Sequence, residues 1–215
     1  MKQILRLDIF GADIYIIQVK SSDSELLELC AETGMEKQKI QNIKAASRRK
    51  EKAATLLILA KMLNTAVEIC HKESGAPYLK GRNEHISISH SGDFVAVAVG
   101  SEAGIGIDIE IKKDRILKVR ERVFSPTELA TMPENDINAN LAGWTSKEAL
   151  FKAIPESDIN FREHLHLQIP EITTKDEIIR HTASESVSPR HDSYDMTTII
   201  NDNFVFTIAK QNKSI

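Results

Sequence analysis

Hydrophobic positions along this chain change their spacing several times, and each change marks an element. Gln3–Phe10 and Asp13–Val19 read as two strands joined at Gly11. Ser22-Asp23-Ser24-Glu25 is a capping-box pattern that opens a helix through Leu26, Leu27, Leu29 and Cys30, ending near Gly34. A second helical region is expected from about Glu36 to Leu63, and its Ala53–Ala60 turns are apolar nearly all round, as in a core helix. Alternating segments follow at Val67–Cys70, His85–Ser89 and Phe94–Val99, which predicts strands. Turns are expected at Gly75-Ala76-Pro77 and Ser91-Gly92-Asp93.

A comparable run then begins. Gly104–Ile111 reads as a strand, and Ser125-Pro126-Thr127-Glu128 is a second capping box with Pro at the first helical position. Asp136–Ala153 reads as a helix, followed by strands at Leu165–Ile169, Glu177–Arg180, Thr197–Ile200 and Phe204–Ile208. Asn201-Asp202-Asn203 turns the last pair, and Thr182–Ser193 reads as an exposed loop. The pattern predicts an α+β protein of two lobes, residues 1–103 and 104–215.

Composition narrows the classes. In 215 residues, 41% hydrophobic and 27% charged side chains predict a packed core rather than disorder. A net charge of −3 argues against a nucleic-acid-coating protein. No apolar run approaches the ~18 residues of a membrane span. Met1–Asp8 interrupts its apolar residues with charge, unlike a signal peptide, and Cys30 and Cys70 are too few for a disulfide framework. Reduced cysteines and a cytoplasmic location are therefore expected.

Three stretches carry candidate chemistry. In Gly104-Ile105-Gly106-Ile107-Asp108-Ile109-Glu110, strand alternation puts Asp108 and Glu110 on one face and the isoleucines on the other. Paired carboxylates on rigid backbone suit Mg²⁺, although for so short a pattern alone an amphipathic edge strand with solvated acids is the better explanation. On a helix, Trp144, Glu148 and Lys152 are spaced four apart along one stripe, which alone describes a surface ion pair beside a packed indole. His85-Ile86-Ser87-Ile88-Ser89-His90-Ser91-Gly92 leads into a turn where a hydroxyl, an imidazole and backbone amides could face a phosphate. His164 and His166 have metal-compatible spacing but no third ligand, and read as solvated caps.

Jointly, these stretches resemble the 4′-phosphopantetheinyl transferase superfamily in its two-lobed, Sfp-like form. Gly106–Glu110 matches the family pattern G-[IV]-D-x-E, and Trp144–Lys152 matches W-[ST]-x-K-E-[AS]-x-x-K at every defined position. Gly75-Ala76-Pro77-Tyr78-Leu79, the Ile88–Gly92 segment and Phe124-Ser125-Pro126-Thr127-Glu128 match further motifs. The likeness spans roughly Glu36 to Lys152. It implies two pseudo-twofold lobes with the active site in the cleft between them, the first lobe recognising coenzyme A and the second carrying metal and catalysis. It implies transfer of 4′-phosphopantetheine from coenzyme A to a serine of an acyl or peptidyl carrier protein, with release of 3′,5′-ADP. By resemblance, Asp108, Glu110 and Glu148 would hold Mg²⁺. Glu148 would take the serine proton, and Lys152 would stabilise charge on the pyrophosphate with Lys147 nearby. Ser89 and His90 would hold the coenzyme's phosphates.

Charge is concentrated in two places. Glu36–Lys52 carries seven basic residues against two acidic, and Lys112–Arg122 carries six against two. A solvated helix face explains either. The functional reading gives the first to the coenzyme's 3′-phosphate and the second, interleaved with Ile116, Leu117 and Val119, to an acidic carrier helix. Ala76 stands where many family members have Lys, and the family's Arg just inside the helix at Ala53–Leu56 is absent, so Arg48 or Arg49 is the expected substitute. Two other readings compete. A metal nuclease, suggested by Asp108–Lys112, leaves the Trp144–Lys152 match without purpose. A non-catalytic paralogue that binds carrier protein or coenzyme A does not need Asp108, Glu110, Glu148 and Lys152 together. A monomer is the simpler expectation.

Overall fold

The computed structural model describes residues 2–34, 40–170 and 178–212. Glu36, Lys37 and Lys39 of the first basic stretch, and Glu177 at the start of an expected strand, lie outside them. The chain divides into two compact units, Met1–Ser101 and Glu102–Ile215. The protein is mixed α and β, and no helix among the described residues is long and apolar enough to cross a membrane. Cys30 and Cys70 are free thiols.

The first unit is built on an antiparallel sheet of order β1-β2-β6-β5, from β1 (Lys2–Ile9), β2 (Ala12–Gln18), β5 (His85–Ser91) and β6 (Phe94–Gly100). Phe10 and Gly11 both take positive φ, 56° and 72°, which a two-residue hairpin matched to strand twist requires. Helices α1 (Asp23–Glu32) and α2 (Ala46–Leu63) cover one face, burying Leu26, Cys30, Ile58 and Leu59 against Ile17 and Val97. Ser22 caps α1 with the reciprocal Glu25 bond that the sequence predicts. A small hairpin of β3 (Ile69–His71) and β4 (Pro77–Leu79) completes the unit. The expected helix from 36 to 63 is broken before Ala46. Arg49 there donates to the carbonyls of Ile43 (2.7 Å) and Lys44 (3.0 Å) and to Asp23 (2.8 Å), holding the preceding chain off the helical path.

The second unit carries an antiparallel sheet of order β7-β11-β10-β9-β8, from β7 (Ile105–Ile111), β8 (Leu165–Gln168), β9 (Ile178–Glu185), β10 (Ser193–Ile200) and β11 (Phe204–Gln211). A 3₁₀ turn (Asp114–Lys118) and short helices α3 (Arg120–Val123) and α4 (Pro126–Thr131) precede the long α5 (Ile137–Ala153), and α6 (Phe161–His164) follows it. The loop expected over Thr182–Ser193 is shorter than its polar composition suggested. Strand β9 continues to Glu185, whose carboxylate is buried and accepts from the backbone of Ser188 (2.7 Å) and Asp192 (2.8 Å), closing the turn.

Helix α5 lies directly on β7 and β11. A Cβ at Gly106 would sit 1.9 Å from the Ala149 carbonyl oxygen and 2.6 Å from the Ala153 amide nitrogen, so the glycine is a contact requirement, not a turn. Register pairs Gly106 with Ala209, Asp108 with Thr207 and Glu110 with Val205. Directly opposed residues share a face, so these six side-chain positions line the helix-bearing side. Ile107 and Ile109 are buried on the other side.

Two outcomes follow. Gly106→Ala should destabilise the protein in urea by about 1–3 kcal/mol or more. Ala149→Gly should not restore it, because the added methyl meets main chain. His181 on β9 is buried and its pKa is pushed down to about 4 by desolvation. As pH falls below ~6.5 the unfolded imidazole takes a proton that the folded one refuses, so stability drops until about pH 4 and is flat for this group beyond. Urea midpoints measured from pH 7.5 to 4 should fall less steeply in His181→Gln than in the parent chain.

Candidate functional site

Alternation along β7 and helical spacing along α5 bring four ionisable groups of the two signature stretches to one place. Asp108 is 4% exposed, so the solvated edge-strand reading fails even though β7 is an edge strand. Lys152, one turn beyond Glu148, donates to Asp108 Oδ1 at 2.7 Å and to the Ile107 carbonyl at 3.1 Å. The half-buried Glu148 carboxyl is raised to about 7, first by desolvation and then by the charge of Asp108, with Glu110 adding and Lys152 opposing. Asp108, Glu110, Glu148 and Lys152 therefore act on one another within the second unit alone.

Among the described residues no three His, Cys, Asp or Glu side chains are gathered to hold a metal ion as they stand, and the Lys152 ammonium is seated on Asp108. The donor chemistry nevertheless fits Mg²⁺. All candidates are hard oxygen donors on a strand and a helix rather than on loops. The surplus of negative charge that raises Glu148 is also what a divalent cation would relieve.

Lys147 does not join them. Its side chain is fully buried and its ammonium bonds the Glu128 carboxylate (2.8 Å), the Phe161 carbonyl (2.8 Å) and the Leu165 carbonyl (2.9 Å). Three donors meet three acceptors, so none is left for a coenzyme, and the expected role for Lys147 is corrected. Glu128 also accepts from the backbone of Ser125 (2.7 Å) and Leu167 (2.9 Å). Its capping box was readable in sequence, but its ion pair with Lys147 was not. Trp144 likewise packs, half-buried, against Phe161 with ring centroids 6.1 Å apart.

In the first unit the structure joins some candidates and separates others. Arg48 Nη1 lies 3.2 Å from His90 Nε2, and both lie 3.2 Å from Glu51 Oε2. Two expected anion-binding groups are thus together, with a carboxylate between them that sequence spacing did not reveal. Arg49 lies apart from them, its Nε on Asp23 and its Nη1 on two carbonyls. Ser89 is buried, and as the neighbour of His90 on β5 it belongs to the opposite face of the sheet, so the two cannot grip one phosphate together.

The expected docking surface also changes. Arg120 is buried, with its guanidinium on Asn140 Oδ1 (2.8 Å) and the Met132 carbonyl. Ile116 is in the core, and Leu117 and Val119 pack against it. Lys113, Arg115, Lys118 and Arg122 remain exposed.

Removing Glu128 strands a buried ammonium. Glu128→Ala should cost about 3–5 kcal/mol in chemical denaturation, and Glu128→Leu combined with Lys147→Met should recover most of it.

Comparison with known proteins places the second unit in a family. Residues 104–209 match the model of the 4′-phosphopantetheinyl transferase superfamily. A 4′-phosphopantetheinyl transferase AcpT of Salmonella typhi is 33% identical over 112 residues, covering 49% of this chain and 58% of that protein. A 4′-phosphopantetheinyl transferase of Bacillus subtilis is 36% identical over 86 residues, 38% of each chain. AcpT of Escherichia coli K12 is 31% identical over 112 residues, 49% of this chain and 57% of its own. The matched stretch thus spans little more than half of these relatives at most. The strand and helix that group Asp108, Glu110, Glu148 and Lys152 both lie inside the matched segment, and residues 104–209 form a domain of the 4′-phosphopantetheinyl transferase superfamily.

Proposed function

We propose that this protein is a two-lobed, Sfp-like enzyme that moves 4′-phosphopantetheine from coenzyme A to a serine of an apo acyl or peptidyl carrier protein. The observation that carries the reading is the mutual influence of Asp108, Glu110, Glu148 and Lys152 across β7 and α5. A nuclease has no need of that helix stripe, and a pure binder has no need of three acids that act on one another's charge.

In the proposed reaction the serine Oγ attacks the phosphorus that bears the pantetheine arm. A new P–O bond forms, the anhydride P–O bond breaks, and 3′,5′-ADP leaves with the electron pair. Glu148 accepts the serine proton. General-base assistance of this kind contributes about 10²–10⁴-fold. Asp108, Glu110 and Glu148 would hold Mg²⁺, which when bound neutralises charge on the pyrophosphate. Lys152, fixed at Asp108 by a 2.7 Å bond, holds a positive charge beside the leaving group. His90 and Arg48 would take the 3′-phosphate, and Ser89, on the other face of β5, a separate phosphate. The exposed Lys113, Arg115, Lys118 and Arg122 would meet an acidic carrier surface. The protein would act as a cytoplasmic monomer.

The test is the mass of an apo carrier protein after incubation with the enzyme, coenzyme A and Mg²⁺. The carrier should gain one phosphopantetheine. Glu148→Gln and Asp108→Asn should each slow the gain at least about 10²-fold while the protein stays folded. An unmodified carrier with the parent protein, or full activity in either variant, overturns the assignment.

A further inference from the structure

Beneath α5, beside the acid cluster, runs a line of buried polar side chains that the proposed chemistry does not use. Thr145 Oγ1 lies 2.7 Å from Thr207 Oγ1, which lies 2.8 Å from Thr198 Oγ1, which lies 3.0 Å from His181 Nε2. Ser146 joins alongside, 3.4 Å from His181 and 2.6 Å from the Ala142 carbonyl. Thr145, Ser146, Thr198 and Thr207 are all 0% exposed and His181 is 7% exposed. The line crosses from the helix over β11 and β10 to β9.

We propose that this hydroxyl chain sets the register of α5 on the sheet, and that Thr145 and Thr207 are thereby positioning residues for Glu148 and Asp108. The inference rests on the functional reading above. Its two ends fall where such a role requires. Thr207 is the direct cross-strand partner of Asp108. Thr145 precedes Glu148 by three residues, and residues so spaced are neighbours on a helix surface. The 2.7 Å contact between the two threonines therefore ties the strand pair that carries one acid to the helix turn that carries the other.

The rest of this interface explains the need for such a tie. Gly106, Ala149, Ala153 and Ala209 allow close approach but present smooth, non-directional contacts. A helix sliding by one residue on such a surface moves about 1.5 Å, well beyond the roughly 0.5 Å tolerance of a working site. Hydroxyl contacts are directional, and those that join helix to sheet, Thr145 to Thr207 and Ser146 to His181, are lost on such a slide. Apolar side chains of the same volume would fill the space at lower desolvation cost, so the polar choice contributes geometry more than stability. Each threonine hydroxyl in the chain can give one hydrogen bond and take another, so the hydroxyls satisfy one another, while the buried His181 Nδ1 at the far end has no hydrogen-bond partner among the described residues.

The experiment compares Thr207→Val, Thr145→Val and the double valine variant with Thr207→Ser and Thr145→Ser. Mg²⁺ is titrated calorimetrically into each protein mixed with coenzyme A, and kcat, carrier KM and urea midpoints are measured in parallel. Thr207→Val should weaken Mg²⁺ binding about 10-fold and lower kcat with carrier KM unchanged. The double variant should be no worse than the worse single one, and the serine variants should keep parent Mg²⁺ affinity. Valine variants with a lowered urea midpoint but parent Mg²⁺ affinity would overturn the proposal, as would serine variants that lose affinity, since methyl packing would then set the register. Should the valine variants not fold, the serine variants alone decide. A parent protein that binds no Mg²⁺ and modifies no carrier fails the functional reading itself, whereas a parent that does both beside unaffected valine variants fails only this inference.

Discussion

Backbone touches backbone where α5 crosses β7, and most of the second unit depends on that contact. At Gly106 there is no room for even one methyl group against the Ala149 carbonyl. Because the helix lies so close, Lys152 reaches Asp108 directly, and Asp108 and Glu110 act on the charge of Glu148. Were the helix held off the sheet by side chains at this crossing, the same residues would face one another across an apolar layer. The glycine of the first signature and the small residues of the second are two halves of one geometric condition.

Around this contact the buried charges have assigned partners. Lys147 neutralises Glu128 in the core, Lys152 neutralises Asp108 at its edge, and Arg120 is held by Asn140 and a carbonyl. Glu148 is the exception, being partly desolvated beside two other acids with a single ammonium opposing them. Structural ion pairs fix the frame, and the remaining electrostatic imbalance is concentrated on the one carboxyl assigned a chemical task. Perturbed ionisation gathers at functional sites for this reason.

Much of this was legible in the sequence. The capping boxes at Ser22 and Ser125 and the Gly11 turn appear where local chemistry puts them, while β9, β10 and β11 each run three to five residues longer than their alternation suggests. Period-two alternation correctly set Asp108 and Glu110 on one face. What sequence could not give was the destination of long side chains. Lys147 and Lys152 are five apart on one helix, yet one turns into the core and the other to the acid cluster. Arg48 and Arg49 part in the same way, one beside His90 and the other onto Asp23. Alternation should have separated Ser89 from His90, but their adjacency in a motif obscured it. Thr182–Glu185 reads as a loop by composition, while its strand character comes from pairing with β8 and β10.

One packing detail bears on how this molecule could be watched. The chain contains a single Trp, and its indole leans on the Phe161 ring about one helical turn before Glu148. Ultraviolet emission excited in the indole band thus comes from a lone reporter on α5. Any rearrangement of that turn would be seen as a spectral shift without an attached dye.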